Sequence, residues 1–406
     1  MKVLFINTVC GRSSTGGIVR DIADLLQEKG DESLCLYGRY HAPAHLNAQR
    51  IDTQLEVYAH VIKTRLFDRQ GFGSARATRR AIKAIEQYQP DIIHLHNLHG
   101  NYLNIRLLFS YLKESNFPVV WTLHDCWPFT GHCTHYIYDR CEKWKDGTCG
   151  RCQRRTEYPA SYLQDRSRKN FQDKKAIFTG CKNLTITTVS DWLADQVRQS
   201  FLKEYPVRRV YNGVSLEQFA PVESGMRRSL GIEEGQVMIL CVTDGWSNRK
   251  GLDHVVAAAE AIREKGLPYR IVMVGVQKKL HKRLPEEIIA LSRTDSRQQL
   301  VELYSCADVM WNPSSVETFG LVNIEALACG TPVITMNTTA CPETVDSTCG
   351  RVIDAGADVV ESLLRAVQEL ACQGSSLSDA CRNRAESFSK EKSYANYLEL
   401  YKEMLE

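Results

Sequence analysis

Residues 308–335, DVMWNPSSVETFGLVNIEALACGTPVIT, constrain the fold more than any other part of the chain. The apolar run at 309–312 reads as a buried strand. A tight loop follows, then a short helix over about 321–329 and a second strand over 332–335. Gly330 stops the helix, and Pro332 cannot continue it. Strand, loop, helix and strand in so short a span belong to an α/β domain. Glu317 falls in the loop and Glu325 in the second helical turn, with seven residues between them. Gly320 lies at the helix start, where backbone N–H groups and the positive end of the dipole favour an anion, and the N–H groups of Phe319, Gly320 and Leu321 are expected to meet a phosphate or sugar. The unit therefore offers a phosphate-sized anion site and two carboxylates that accept hydrogen bonds from hydroxyls. A nucleotide sugar presents those partners: a diphosphate, a ribose diol and a hexose. The plainer alternative makes both glutamates solvated helix-end charges. Against it, Glu325 lies in the apolar helix LVNIEALAC, where a charge is rarely buried without a partner.

The pattern PSSVETFGLVNIEALACGTPVI resembles the E-x7-E signature of retaining, nucleotide-sugar-dependent glycosyltransferases with the GT-B fold. The nearest likeness is to bacterial capsular and exopolysaccharide enzymes of the colanic-acid type. The resemblance implies two Rossmann-like α/β domains facing across a cleft. Residues 1–208 would form the acceptor-side domain with a Cys-rich insertion at 126–158. Residues 209–388 would hold the donor nucleotide, and a last helix over 389–406 would cross back. A hexose would pass from a UDP- or GDP-sugar to a lipid-linked or glycan acceptor, with no cofactor required and no nucleic acid as partner. The expected location is the cytoplasm or the inner face of the plasma membrane.

Composition is ordinary for a soluble globular protein, 43% hydrophobic and 24% charged, and 406 residues suffice for two domains with a core each. No run of 18 apolar residues occurs, and the start MKVLFINTVCGR reads as a first strand rather than a signal peptide. Without an export signal, the 15 cysteines are expected as thiols or metal ligands in a reducing compartment. Residues 1–210 carry 31 Lys and Arg against 21 Asp and Glu. So basic a half suits phospholipid or a lipid-diphosphate acceptor, or is only a solvated surface. Residues 65–87 are its most basic segment and the expected membrane-facing one.

Within that half, the strand at 3–8 leads into CGRSSTGGIVRDIADLLQEKG, with a helix expected after Gly17. The spacing of Gly11 to Ile18 imitates a P-loop, but Gly17 and Ile18 occupy its Lys and Ser/Thr positions. No G-x-G-x-x-G occurs either, so neither an ATPase nor a dehydrogenase is indicated. The resemblance assigns Gly16 and Gly17 to close backbone approach on donor phosphates or acceptor. In PDIIHLHNLHGNY a strand at 91–95 delivers His96 and Asn97 to its carboxyl end, where α/β sheets bind ligands. His94, His96 and His99 have no carboxylate beside them in sequence, which favours sugar hydroxyls over a metal. After the strand VVWTL comes His124, which the resemblance places on the donor sugar; a structural strand-end histidine is the alternative. Cys133, Cys141, Cys149 and Cys152 follow as C-x7-C-x7-C-x2-C in a polar, aromatic stretch with little periodicity. Four thiolates on a structural zinc would clamp such a loop; free thiols and an iron–sulfur cluster are the alternatives.

The second half opens afresh with a strand at 237–243, a polar loop and a helix from about 252. Arg249 and Lys250 precede that helix and can neutralise a diphosphate leaving group. The resemblance supports Lys250. It expects an Arg near Asp244 or Gly245, where none stands, so Arg249 is its substitute. Asn212, in the interdomain-like motif N-G-V-x-x-x-x-F, and Gly275, which ends the strand YRIVMV, are assigned to the substrate site. Arg293 and Thr294 are expected to read the base through their backbone. Catalysis would rest on His124, Lys250, Arg249 and Glu317, with Glu325 on the ribose diol. No D-x-D motif calls for a divalent metal there. An epimerase or phosphorylase of the same architecture would need acid–base residues or a pyridoxal lysine that the sequence does not offer. A non-enzymatic Cys-rich binding module would make both glutamates dispensable.

Overall fold

A computed structural model describes residues 1–406, apart from the side chain of residue 375. The chain divides into two compact units: Met1–Tyr211 with Tyr394–Glu406, and Asn212–Ser393.

The first unit is built on a seven-stranded sheet. Its strands are β1 (Lys2–Val9), β2 (Glu32–Arg39), β3 (Ala48–Arg50), β4 (Ile92–Leu95), β5 (Val119–Leu123), β6 (Leu184–Thr188) and β7 (Val207–Arg209). They lie in the order β3-β2-β1-β4-β5-β6-β7, and every pairing is parallel. Parallel sheets are covered on both faces, so their strands read as unbroken apolar runs. Val3, Leu4, Phe5 and Ile6 have no exposed surface. His94 breaks the run in β4, and its two ring nitrogens are satisfied by Tyr401 Oη at 2.6 Å and Thr122 Oγ1 at 2.7 Å. It therefore fastens the C-terminal helix Lys390–Leu405 to the sheet through Tyr401.

The first helix differs from the expectation. It spans Ser13–Glu28, so Gly16 and Gly17 lie inside its opening turns rather than in a loop before it. Its apolar stripe of Ile18, Ile22 and Leu26 is buried as the 3.6-residue period requires. Residues 65–87 take in the last residues of the helix Gln54–Phe67 and most of the helix Ala75–Tyr88. A reciprocal Thr53–Glu56 capping box starts the former.

The second unit repeats the design with six parallel strands. They are β8 (Val237–Val242), β9 (Tyr269–Val274), β10 (Ile288–Leu291), β11 (Val309–Asn312), β12 (Val333–Met336) and β13 (Gly350–Ile353), ordered β10-β9-β8-β11-β12-β13. Both orders reverse direction beside the first strand of their unit, which defines a doubly wound, Rossmann-like sheet. Helices Leu252–Glu264 and Val359–Ala371 cover one face of it with Val255, Ala259, Leu363 and Val367. Among the described residues, no helix is long and apolar enough to cross a membrane.

Candidate active site

In the second unit, the site-bearing loops leave the carboxyl ends of β8 and β11. Gly251 sits between the short turn Asn248–Lys250 and the next helix, with φ +79°. A Cβ there would stand 2.4 Å from the Pro313 carbonyl oxygen, so only glycine lets the two loops touch. Their closeness joins Lys250 to Glu317: Nζ to Oε1 is 2.5 Å, with both side chains less than a fifth exposed. The Ser315 N–H adds a 3.0 Å bond to the Arg249 carbonyl. Burial alone would raise the Glu317 carboxyl; Lys250, with smaller help from Ser314 and Arg249, holds it below its ordinary value.

Glu317 is also fixed through its backbone, whose N–H donates to Thr339 Oγ1 at 2.9 Å. Beyond it, Gly320 adopts φ +92° and turns the chain into the helix Leu321–Ala328. No side chain caps that helix start. The turn is braced from beneath by buried Asn323, which accepts from Asn312 Nδ2 and donates to Thr344 Oγ1, both at 2.9 Å. Phe319 is buried, and Leu321 is half-buried at the tip.

Glu325 is half-buried one turn on, where its Oε2 accepts a 2.9 Å bond from the fully buried Tyr304 hydroxyl. Burial pushes its carboxyl up to about 7, while Tyr304 and Arg297 oppose the shift. Tyr304 and Arg297 were both missed by sequence reasoning. They lie on the helix Arg297–Cys306, and only the fold brings them to Glu325. Gly275 follows β9 with its backbone tight against the Thr243 carbonyl. Arg293 is exposed and Thr294 half-buried in the loop after β10. Asn212 is buried at the start of the unit, where neighbouring Val214 bridges to Ser389.

The first unit gathers its histidines at the carboxyl ends of β4 and β5. His96 Nδ1 lies 3.0 Å from His124 Nε2, and the rings stack with 14° between their planes. Burial lowers both imidazoles, His124 to about 4 and His96 well below its ordinary value. The pair is therefore neutral, one ring donating to the other. Asn97 is held by its backbone: its N–H donates to Asn7 Oδ1, and its carbonyl accepts from Tyr102 Oη at 2.9 Å. The carboxylate missing from the local sequence is supplied from the next strand. Asp125 Oδ2 lies 2.7 Å from His99 Nε2, and Tyr158 Oη is 2.8 Å from its Nδ1. Burial alone would lower His99; Tyr158 and Asp125 outweigh it and push the imidazole up to about 10. A Cβ at Gly16 would meet Val9, whereas Gly17 has open space beside it.

Cys133, Cys141, Cys149 and Cys152 line one cavity of about 260 Å³ together with His132. The expected zinc clamp finds no support, because among the described residues no three His, Cys, Asp or Glu side chains form a group that could hold a metal ion. The cysteines are free thiols. The loop has other fastenings. Trp144 is buried against Phe129 and Tyr136 with centroids at 5.1 and 4.9 Å. Arg154 pairs with Asp139 and Glu157. Buried Lys174 donates to the Trp127 and Thr130 carbonyls, and His132 Nδ1 lies 2.5 Å from Asp68.

The model of "Glycosyltransferase Family 4" matches residues 16–218, and that of "Glycosyl transferases group 1" matches residues 223–388. The chain is 22% identical to the putative colanic acid biosynthesis glycosyl transferase WcaC of Escherichia coli K12, over 100% of each. It is 31% identical to the D-inositol 3-phosphate glycosyltransferase of Rhodococcus erythropolis over 47% of each. Among solved structures, sucrose-phosphate synthase from Thermosynechococcus elongatus superposes with a TM-score of 0.71 at 17% identity, covering 99% of this chain and 98% of the other. WaaG, a glycosyltransferase involved in lipopolysaccharide biosynthesis, gives 0.64 at 17%, covering 97% and 98%. HepE from Anabaena, in complex with UDP-glucose, gives 0.65 at 15%, covering 99% and 100%.

Proposed function

Because the chain belongs to glycosyltransferase family 4 and is a glycosyltransferase with two Rossmann-like domains, we propose that it transfers a hexose from a UDP- or GDP-sugar to a lipid-linked or glycan acceptor in bacterial cell-surface polysaccharide synthesis. The observation that carries the donor side is the Lys250–Glu317 pair beside an uncapped helix start, with Glu325 one turn further on. Positive charge from Lys250, Arg249 and the N–H groups of Phe319, Gly320 and Leu321 matches the diphosphate. Glu317, kept ionised by Lys250, accepts hydrogen bonds from hexose hydroxyls. Glu325, which already holds the Tyr304 hydroxyl through one oxygen, accepts them from the ribose diol.

The bond between the anomeric carbon and the diphosphate breaks as the acceptor hydroxyl bonds to that carbon from the same face. The acceptor proton passes to the departing phosphate oxygen, so configuration is retained and a nucleoside diphosphate is released. No side-chain base is assigned. Lys250 and Arg249 lower the barrier by meeting charge as it develops on the leaving oxygen. In the first unit, His124 is assigned to the donor sugar, with His96 setting its tautomer, and Asn97 to substrate hydroxyls. Gly16 and Gly17 are assigned to backbone approach by donor phosphate or acceptor. Asn212, Gly275, Arg293 and Thr294 remain assigned to the substrate site, the last two to the base. The kinship with a putative colanic acid enzyme supports the polysaccharide role.

The test incubates the purified chain with a panel of UDP- and GDP-sugars and follows nucleoside diphosphate release and sugar transfer. Release with one donor, lost in Glu317→Ala and Lys250→Ala, is expected. Full turnover in either variant would refute the assignment.

A further inference from the structure

The helix Gln54–Phe67 is turned inside out. Its buried residues are polar, His60 and Thr64, bonded to Ser74 Oγ at 2.8 Å and Asn101 Oδ1 at 2.6 Å. Its large apolar side chains face outward: Leu55 is 80% exposed, Tyr58 59% and Ile62 57%, with Leu66 and Phe67 at 39%. Residues 55, 58, 62 and 66 share one helical stripe, so the exposure is a continuous face rather than scattered single residues.

A second strip of chain extends that face. The N–H groups of Tyr162 and Gln164 donate to the carbonyls of Arg65 and Leu66 at 2.7 and 3.1 Å, laying this segment along the end of the helix. Tyr162 and Leu163 are 57% and 63% exposed beside it. A soluble surface would gain by reversing this pattern, because each exposed aliphatic side chain forfeits its burial energy.

Two cations stand beside the face. Arg65 is exposed on the helix, and Arg155 reaches the Leu163 carbonyl. The nearby acids are engaged: Glu56 pairs with Arg80, and buried Asp68 pairs with His132. The segment expected to face a membrane from its basic residues is partly spent on internal bonds. Arg80 holds Glu56 and the Ile51 carbonyl, and Arg69 holds Asp173.

We propose that the outward face of Gln54–Phe67, extended by Tyr162 and Leu163, seats this protein on a bilayer containing anionic phospholipid. Leu55, Tyr58, Ile62 and Leu66 enter the headgroup–acyl boundary, while Arg65 and Arg155 meet lipid phosphates. Large apolar side chains flanked by cations match such an interface: burial supplies one part of the binding and charge the other. This deepens the reading above, since a lipid-linked acceptor is reached most readily by an enzyme lying on its membrane.

The test is co-sedimentation of the full chain with phosphatidylcholine vesicles, with and without a third of phosphatidylglycerol. Sedimentation with the anionic vesicles, weakened by salt, is expected. The variant Ile62→Ser/Leu66→Ser is expected to lose roughly tenfold in vesicle affinity, and Arg65→Gln a smaller part that vanishes at high salt. Circular dichroism, and thermal stabilisation by nucleotide sugars, keep folding and the donor assignment separate from this result. Wild-type protein that stays in the supernatant with anionic vesicles overturns the proposal. So does a folded double variant that sediments as well as the wild type. A dimer that the double variant splits, without vesicle binding by either protein, would give the face to a second copy instead and equally overturns it.

Discussion

Lys250 Nζ and Glu317 Oε1 stand 2.5 Å apart although their residues are far separated in sequence and leave two different strands. The contact keeps the Glu317 carboxyl ionised. Lys250→Ala would leave Glu317 partly buried and unpaired, so its carboxyl should rise toward neutrality. Loss of the diphosphate-facing cation adds a fall in kcat of about 10²–10³. Glu317→Gln keeps the shape and removes the charge, and should cost a similar factor. The double variant should be much less than multiplicatively worse, since the residues act as a unit. Steady-state kinetics on all three decide this; independent, multiplicative losses would contradict it.

Glu325 should give donor binding a pH dependence. Its carboxyl is pushed from about 4.5 up to about 7 by burial. Between those values the folded chain holds a proton that the unfolded chain has released, so stability falls as pH rises through the interval. The loss is on the order of 1–3 kcal/mol. A ribose diol donating to the carboxylate offsets it, so a nucleotide sugar should raise the melting temperature more at pH 8 than at pH 6. Glu325→Gln should flatten both dependences. Melting curves with and without UDP-glucose and GDP-mannose at the two pH values test the effect.

His99 and Asp125 form a buried electrostatic fastening in the first unit. Their side chains are 10% and 13% exposed and 2.7 Å apart. His99→Gln or Asp125→Asn leaves one partner buried alone and should cost about 3 kcal/mol. Because the folded His99 value is raised, its contribution is fully present below about 6.5 and lost as pH rises toward about 10. The stability gap between wild type and His99→Gln should therefore be wide at about pH 6.5 and close as pH rises toward about 10. Denaturant titrations at pH 6.5 and pH 9.5 measure it.

The strands were legible because parallel, doubly covered strands must be apolar throughout. The runs at 309–312 and 119–123 coincide with β11 and β5. Glu317, Gly320 and Glu325 were legible for a related reason: one short unit carries them all. The misses share the opposite cause. Tyr304 and Arg297 reach Glu325 from a separate helix, and Asp125 reaches His99 from a neighbouring strand, so no local pattern announces them. The first helix was started too late because Gly16 and Gly17 look like loop residues, although Gly16 is chosen for its closeness to Val9. The inverted helix at Gln54–Phe67 was hidden for another reason. Periodicity shows that a helix has an apolar face, while only the fold shows which way that face points.

Gly251 allows the most exacting check on the donor-side geometry. Its φ of +79° disfavours any side chain, and a Cβ would press on Pro313 at 2.4 and 2.5 Å. The atoms in the way are backbone and a proline ring, which cannot swing aside. Gly251→Ala must therefore push the Lys250 loop away from the Glu317 loop, at a cost of about 2–4 kcal/mol. Activity should fall by a factor close to that of Lys250→Ala, although no functional group has been removed. Adding Lys250→Ala to it should then cost little more. Kinetics on the single and double variants, with circular dichroism to confirm folding, test this. An active, fully folded Gly251→Ala enzyme would show that turnover does not need the two loops in contact.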